Sequence, residues 1–208
     1  MLDTVQAENC EDLAATPPSR PGAVILTRHG EPALSRRCRL TSDEYRAWWA
    51  RYEVGGLLEG QTAPTCLQEA ARDALILHSP RPRAIETAKA AAGDQPLQVD
   101  EIFVEAPLPP PRFPARMRFS PRTWGVIARF WWWAFNHHQG EETRDQAKAR
   151  ARRAADMLEQ HAASGRNVLV FAHGFFNGMV GMELTKRGWR CVEDQGFQYW
   201  SARRFERR

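Results

Sequence analysis

The chain has 208 residues, of which 43% are hydrophobic and 26% are charged, a composition typical of one folded domain and not of an intrinsically disordered chain. Its net charge of +4 is mild and does not by itself distinguish an anionic small molecule, a nucleic acid or an anionic membrane surface as the partner. No stretch reaches the roughly 18 apolar residues that a transmembrane helix requires, and the acidic first twenty residues do not resemble a secretory signal.

The cysteines are scattered along the chain, and no two of them form a C-x-x-C pair. They resemble neither a zinc site nor a disulfide framework, so we expect free thiols and a reducing, cytoplasmic location. The four positions are Cys10, Cys38, Cys66 and Cys191.

In the first half of the chain, short apolar runs alternate with helix-start signals. Residues 1–21 are predicted to be a flexible arm, and the apolar, β-branched run at 23–27 predicts a strand buried on both faces. Residues 41–44 read T-S-D-E, the T-x-x-E form of a capping box, and Ser79-Pro80 suits the first two positions of a helix. The elements predicted next are a helix from 41 to Gly55-Gly56, a helix at 64–73, a strand at 75–78, a helix from 79 to about 92 and a strand at 97–104.

The second half continues the alternation of strands and helices. Its predicted elements are a proline-rich loop at 107–114, a helix from Ser120-Pro121 through the tryptophans at 131–133, a charged helix at 142–161, a buried strand at 167–172, a helix at 174–187 and an edge-like strand at 197–205. Strands that alternate with helices in this way predict an α/β fold with three layers, in which a mostly parallel central sheet carries helices on both faces.

Two predicted strands end in the same way, with a histidine followed by a glycine. His29-Gly30 follows the strand at 23–27, and His173-Gly174 follows the strand at 167–172. Ligands of open α/β sheets bind at the carboxyl ends of the strands, so two histidines there can meet over one substrate. The helix after Gly174 is expected to point its N–H groups at an anion, and the neighbouring Arg28 guanidinium suits phosphate oxygens.

Three motifs in this order resemble the histidine phosphatase (phosphoglycerate mutase-like) superfamily. Residues 28–31 read R-H-G-E, residues 79–88 fit the family's S-P-x-x-R-A-x-x-T-A pattern at every fixed position, and residues 172–174 resemble its second-histidine motif. The resemblance spans roughly residues 23–186 and implies a phosphoglycerate mutase-like fold.

The resemblance also implies a role for each matching residue. His29 is the expected nucleophile, and Arg28, Arg83 and His173 are expected to bind the phosphate. Glu105, which stands where the family places an acidic residue after the third strand, is the expected proton donor. In this mechanism a protonated His173 and helix N–H groups help the arginines to neutralise the phosphoryl charge, and neither a metal nor a cofactor takes part.

At two positions the chain departs from the family pattern. Ser35 stands where the family often has Asn, and the family's G-E-S motif appears as Gly140-Glu141-Glu142-Thr143. Both positions usually contact substrate, so the roles of Ser35 and Glu142 stay open and the resemblance does not identify the substrate.

Residues 107–140 follow directly after the expected proton donor. We predict that this segment is a capping insertion that folds over the active site and sets specificity, with at least one of its first four arginines facing the pocket. The alternatives are that the tryptophans at 131–133 pack in the core with one partly exposed, or that they contact an anionic membrane surface. From Ala106 to Gly140 the segment has no acidic residue and five arginines, which are Arg112, Arg116, Arg118, Arg122 and Arg129.

Together these observations predict a phosphoric monoester hydrolase, formed by a single domain at 22–208, that acts on an anionic small-molecule phosphoester. No nucleic acid is expected as a partner. A phosphoglycerate-type mutase is an alternative, disfavoured because the chain shows no counterpart of the longer substrate-specific segments of mutases. A non-catalytic phosphate- or membrane-binding member is another alternative, against which the complete set of expected site residues argues.

Overall fold

The described chain, residues 20–207 of a computed structural model, alternates strands and helices as predicted. Outside it lie Cys10 and all but the last two residues of the predicted arm. In chain order the elements are β1 (Val24–Arg28), α1 (Ser42–Glu53), α2 (Thr65–Ala71), β2 (Leu75–His78), α3 (Pro82–Ala92), β3 (Leu97–Val99), α4 (Pro121–Phe135), α5 (Arg144–Ala162), β4 (Val168–Ala172), α6 (Gly174–Lys186), β5 (Arg190–Asp194) and β6 (Ala202–Glu206).

The six strands form one sheet in the order β3-β2-β4-β1-β6-β5. The four strands from β3 to β1 in this order are parallel, whereas β6 pairs antiparallel with β1 and β5 pairs antiparallel with β6. In the β1–β4 pair, Arg28 lies opposite Ala172. Because both strands end at this point of the register, His29 and His173 leave the sheet side by side.

Helices cover both faces of the sheet because β1 and β4 are apolar on both sides. Val24, Leu26, Val168 and Val170 pack on one face against α5 and α6, while Ile25, Leu169 and Phe171 pack on the other against α2 and α3. The three-layer, mostly parallel α/β fold is thereby confirmed.

The sheet differs from the sequence prediction at two places. The strand predicted at 97–104 ends at Val99, because the Asp100 side chain accepts a hydrogen bond from the Ile102 amide at 2.8 Å and turns the chain into a 3₁₀ turn. The strand predicted at 197–205 is β6, which is not an edge strand but lies between β1 and β5. The edge strand on this side of the sheet is β5, whose five residues are all exposed and therefore show no apolar alternation.

The largely buried Arg150 on α5 holds the chain that leads to Glu105. Its guanidinium binds both carboxylate oxygens of Glu142, at 2.8 and 2.6 Å. It also donates to the backbone carbonyls of Ile102 and Val104, each at 2.8 Å. Glu142, whose role was open from the sequence, thus belongs to a structural ion pair.

Replacing Arg150 by Met should lower the free energy of unfolding by about 3–5 kcal/mol, because it leaves the Glu142 carboxylate without its partner. Urea unfolding measures this loss. Arg153→Met, an exposed arginine on the same helix, is the control and should change stability by less than about 0.5 kcal/mol. Equal effects of the two substitutions would contradict the role given to Arg150.

Candidate active site

His29 and His173 meet at the carboxyl ends of β1 and β4. Their ring centroids lie 5.3 Å apart, and both side chains are buried. The pairing of the two strands thus brings together the two histidines that the sequence places about 140 residues apart.

The backbone after β1 holds the His29 imidazole in one orientation. Its Nδ1 lies 2.7 Å from the Gly30 carbonyl oxygen, so Nδ1 carries the proton and donates it. Its Nε2 lies 3.5 Å from the hydroxyl of Tyr52. Glycine is required at 30, because a Cβ there would lie 2.6 Å from the Trp200 ring. Because Nδ1 carries the proton, the free lone pair of His29 is on Nε2.

Arg83 is fully buried beside the two histidines. It forms an ion pair with Glu53 at 2.8 Å and donates to the Tyr52 carbonyl at 2.9 Å. One of its nitrogens lies 3.3 Å from Nδ1 of His173. Because a guanidinium only donates, Nδ1 of His173 is the acceptor.

Burial and the positive charge around the histidines keep both imidazoles neutral in the free site. Burial, followed by the charges of Arg83 and Arg28, lowers the pKa of His29 well below its usual 6.5. Burial and the Arg83 charge likewise lower the pKa of His173 well below 6.5. In the free site Nε2 of the neutral His173 pairs with the Ser79 hydroxyl at 2.9 Å, and the protonated His173 expected with the phosphoryl group in place stays a prediction.

Glu105 reaches the same site from the loop that follows the 3₁₀ turn. Its carboxylate accepts hydrogen bonds from the backbone N–H groups of Phe176, Ala106 and Phe175, at 2.9, 3.1 and 3.3 Å. Two of these N–H groups belong to the first turn of α6. The sequence predicts that the N–H groups of this helix start bind an anion of the substrate. Two of them are instead bonded to the carboxylate of Glu105.

A cavity of about 370 Å³ opens beside the histidines and is lined by all five predicted site residues. Part of its wall comes from α1 and part from α4. Of the arginines in the segment at 107–140, Arg122 and Arg129 line the cavity. Arg112 and Arg116 are exposed, and Arg118 pairs with Glu44 at 2.9 Å.

The three consecutive tryptophans do not reach this cavity. Trp132 is fully buried, Trp131 is half-buried and Trp133 is 40% exposed, which agrees with the core-packing alternative. The tryptophans that line the cavity are Trp48 and Trp49 of α1. Within residues 20–207, no helix is both long and apolar enough to cross a membrane.

Sequence reasoning missed three residues close to His29, which are Arg36, Tyr52 and Tyr199. Arg36 donates to the Tyr52 hydroxyl at 3.0 Å, and its guanidinium lies 5.3 and 5.4 Å from the ring centroids of Tyr52 and Tyr199. Arg28 also lies over Tyr199, at 4.5 Å, and donates to the Phe197 carbonyl. The basic pair at 36–37, just after the first motif, was the signal that could have found Arg36.

Ser35, at the first departure from the family pattern, has a structural contact. Its carbonyl accepts a hydrogen bond from the Trp48 indole at 3.1 Å, and its hydroxyl accepts from the Arg37 amide at 3.1 Å. Ser35 does not line the cavity beside the histidines. Its hydrogen bond to Trp48 connects it to a residue that does line the cavity.

The lowered pKa values of the two histidines predict that acid destabilises the fold. Below about pH 6.5 the unfolded chain binds more protons than the folded one, so the free energy of unfolding falls as pH drops towards the lowered values. Thermal unfolding between about pH 7.5 and about pH 5 should show a larger loss of Tm for the native chain than for a His29→Asn, His173→Asn double variant. His161→Asn, on α5, should keep the native slope, and equal slopes for all three proteins would contradict the prediction.

The chain is similar to known proteins in sequence motifs and in fold. A family model for the histidine phosphatase superfamily (branch 1) matches residues 24–201. A search of curated proteins gave no match.

Several solved structures share the fold at low sequence identity. An open reading frame product from Mycobacterium tuberculosis is 22% identical, with 88% of this chain and 90% of that chain covered and a TM-score of 0.54. A mycobacterial glucosyl-3-phosphoglycerate phosphatase in complex with VO3 is 20% identical, with 89% and 92% covered and a TM-score of 0.54. A mutant phosphoserine phosphatase from Entamoeba histolytica in complex with phosphoserine is 16% identical, with 79% and 80% covered and a TM-score of 0.51.

The family match covers most of the chain and includes the three motifs from which the resemblance was recognised. The solved structures agree with it in fold. The chain belongs to the histidine phosphatase superfamily.

Proposed function

We propose that the chain is a metal-independent phosphatase that hydrolyses a small phosphomonoester through a phosphohistidine intermediate on His29. The state of His29 is the observation that carries this proposal. Its Nδ1 donates to Gly30, and burial together with two guanidinium charges lowers its pKa. Nε2 therefore keeps its lone pair at neutral pH and lies among cations that attract a phosphoryl dianion, as nucleophilic attack on phosphorus requires.

In the first step, Nε2 of His29 attacks phosphorus from the side opposite the ester oxygen. The N–P bond forms while the P–O ester bond breaks, and the charge on the equatorial oxygens is stabilised by Arg28 and Arg83. The proposal gives Glu105 the role of general acid, with its carboxyl carrying a proton when the ester is bound. The leaving oxygen takes that proton, so the product leaves as the neutral alcohol.

In the second step, water attacks the phosphorus of the phosphohistidine. The Glu105 carboxylate takes a proton from this water while the P–N bond breaks. Inorganic phosphate leaves, and both His29 and Glu105 return to their starting states. Because arginines supply the positive charge, neither step requires a metal ion.

His173 has two tasks in this mechanism. In the free site its neutral Nδ1 accepts a hydrogen bond from Arg83 and so orients the guanidinium. When the dianion binds, its negative charge opposes the arginine charges and raises the pKa of His173. The imidazole then shares in neutralising the phosphoryl group.

The comparisons support this proposal at the level of chemistry. The superfamily is one of phosphatases that use histidine. One structure of the same fold is a phosphatase with phosphoserine bound, and another carries VO3. They support a phosphorylated small molecule as the substrate class.

His29→Ala should reduce phosphatase turnover to background, because no other group replaces the nucleophile. The assay is phosphate release from p-nitrophenyl phosphate, with EDTA present throughout to test independence from metal. In the native chain, acid quenching should trap a phosphoryl label that is lost in acid and stable in base. His161→Ala, on α5 away from the cavity, is the control. Full activity of His29→Ala would overturn the mechanism, and an inactive native chain would favour a non-catalytic binding role.

Glu105→Gln removes the transferable proton and keeps the shape of the side chain. We expect turnover of an alkyl phosphate to fall by about 10²–10⁴-fold, because the alkoxide leaves without a proton. p-Nitrophenyl phosphate, whose leaving group needs no proton, should fall less. Glu101→Gln, an exposed residue of the adjacent 3₁₀ turn, is the control. Equal losses on both substrates, or no loss on either, would place the acid elsewhere, with Glu31 as the next candidate.

A further inference from the structure

The hydroxyl of Tyr45 is a buried donor without a partner. Tyr45 lies on α1 with its ring stacked between Trp48 and Trp124, each at 5.8 Å, and its side chain is fully buried. No hydrogen-bond partner for the hydroxyl lies within the described residues, and Tyr45 lines the cavity beside His29. Burial raises the pKa of Tyr45, so the hydroxyl keeps its proton. A buried donor of this kind indicates an acceptor that the protein does not itself supply.

Arg129 on α4 is a second donor close to the Tyr45 hydroxyl. It lines the cavity, and its guanidinium lies over the Phe175 ring at 5.5 Å. Within residues 20–207 no carboxylate forms an ion pair with it. A Cβ atom placed on Gly125 would lie 3.1 Å from a terminal nitrogen of Arg129 and 3.8 Å from the Tyr45 hydroxyl. Two donors, one of them charged, thus converge in front of Gly125.

Gly125 lines the cavity at this point and, without a side chain, leaves space in its wall. It lies inside α4, where glycine is a poor helix former, and its φ is not positive, so the backbone itself does not require it. Any side chain at 125 would project between Arg129 and Tyr45. The glycine therefore provides space where the two donors meet.

A continuous aromatic surface connects this point with the phosphate end. The Tyr52 hydroxyl lies 3.5 Å from Nε2 of His29, and the Tyr52 ring stacks on Trp48 at 5.0 Å and on Trp49 at 5.2 Å. Trp48 in turn stacks on Tyr45. A planar apolar group attached to the phosphate would lie along these rings and bring its far end to Tyr45.

We propose that Tyr45, Arg129 and the gap at Gly125 form a leaving-group subsite for a phosphomonoester of an aromatic alcohol that carries a carboxylate. The aromatic rings of α1 bind the aryl group, and the carboxylate accepts hydrogen bonds from Tyr45 and Arg129. This proposal rests on the proposed phosphatase function. It makes Tyr45 and Arg129 specificity-determining residues.

The test compares two substrates, 4-carboxyphenyl phosphate and phenyl phosphate, by the ratio of their kcat/KM values. In the native chain the carboxylated ester should be preferred. Tyr45→Phe should lower the ratio by about tenfold, and Arg129→Met by about tenfold to a hundredfold, because hydrogen bonds to a charged group are lost. Arg112→Met, an exposed arginine of the same segment, should keep the native ratio.

Gly125→Leu gives a second, independent readout. The added side chain should raise KM for the carboxylated ester by at least about tenfold and leave inhibition by vanadate, which occupies only the phosphate end, within about twofold. Unchanged vanadate inhibition also shows that each variant is folded.

The outcomes separate the two proposals. If neither ester is hydrolysed by the native chain, the proposed phosphatase function fails. If both are hydrolysed but the native chain shows no preference, or the ratio survives Tyr45→Phe and Arg129→Met, the phosphatase function stands and the subsite is wrong.

Discussion

The site depends on how the fold accommodates one guanidinium with no access to water. Arg83 is buried completely, so its charge must be balanced by protein groups. Glu53 supplies the counter-charge, and the carbonyl of Tyr52, in the last turn of α1, accepts a second hydrogen bond. The negative end of the α1 dipole lies at the same place. Arg83 therefore joins α3 to the end of α1 and to His173, which follows β4, and the relative position of these elements defines the end of the cavity where we propose that phosphate binds.

Burial and the arginine charges together decide the protonation of the free site. Desolvation disfavours a charged imidazole and the arginines cannot release their protons, so both histidines are neutral there. For His29 this is the state that a nucleophile needs. For His173 it means a neutral imidazole in the free site, and in the proposed mechanism the ring becomes a cation only with the phosphoryl group in place. A site with a permanently charged His173 would instead repel Arg83, with which the neutral ring shares a hydrogen bond.

Much of the fold and of the phosphate end could be predicted because the signals are local. The β-branched run before His29 and the run before His173 predict buried parallel strands, and the rule for strand ends then brings the two histidines together. Other contacts depend on tertiary structure that no local pattern contains. Tyr52 reaches His29 only because α1 ends beside Arg83, and Tyr199 reaches Arg28 from the loop before β6. Glu105 was placed by the family resemblance, whereas its hydrogen bonds to α6 depend on the 3₁₀ turn that replaces the end of the predicted strand.

The two ends of the cavity have different origins in the chain, and this explains why the motifs predict the chemistry but not the substrate. The end beside the histidines comes mainly from strand ends and from the start of α3, which the three motifs cover, and from the last turn of α1. The other end comes from α1 and α4, which lie in the stretches between the motifs. Apart from the last turn of α1, residues there would contact the organic part of the proposed substrate, so they can change without loss of the phosphoryl-transfer step. A glycine in the interior of α4 opposite a buried tyrosine is a feature of this second kind, and it lies where we propose that specificity is decided.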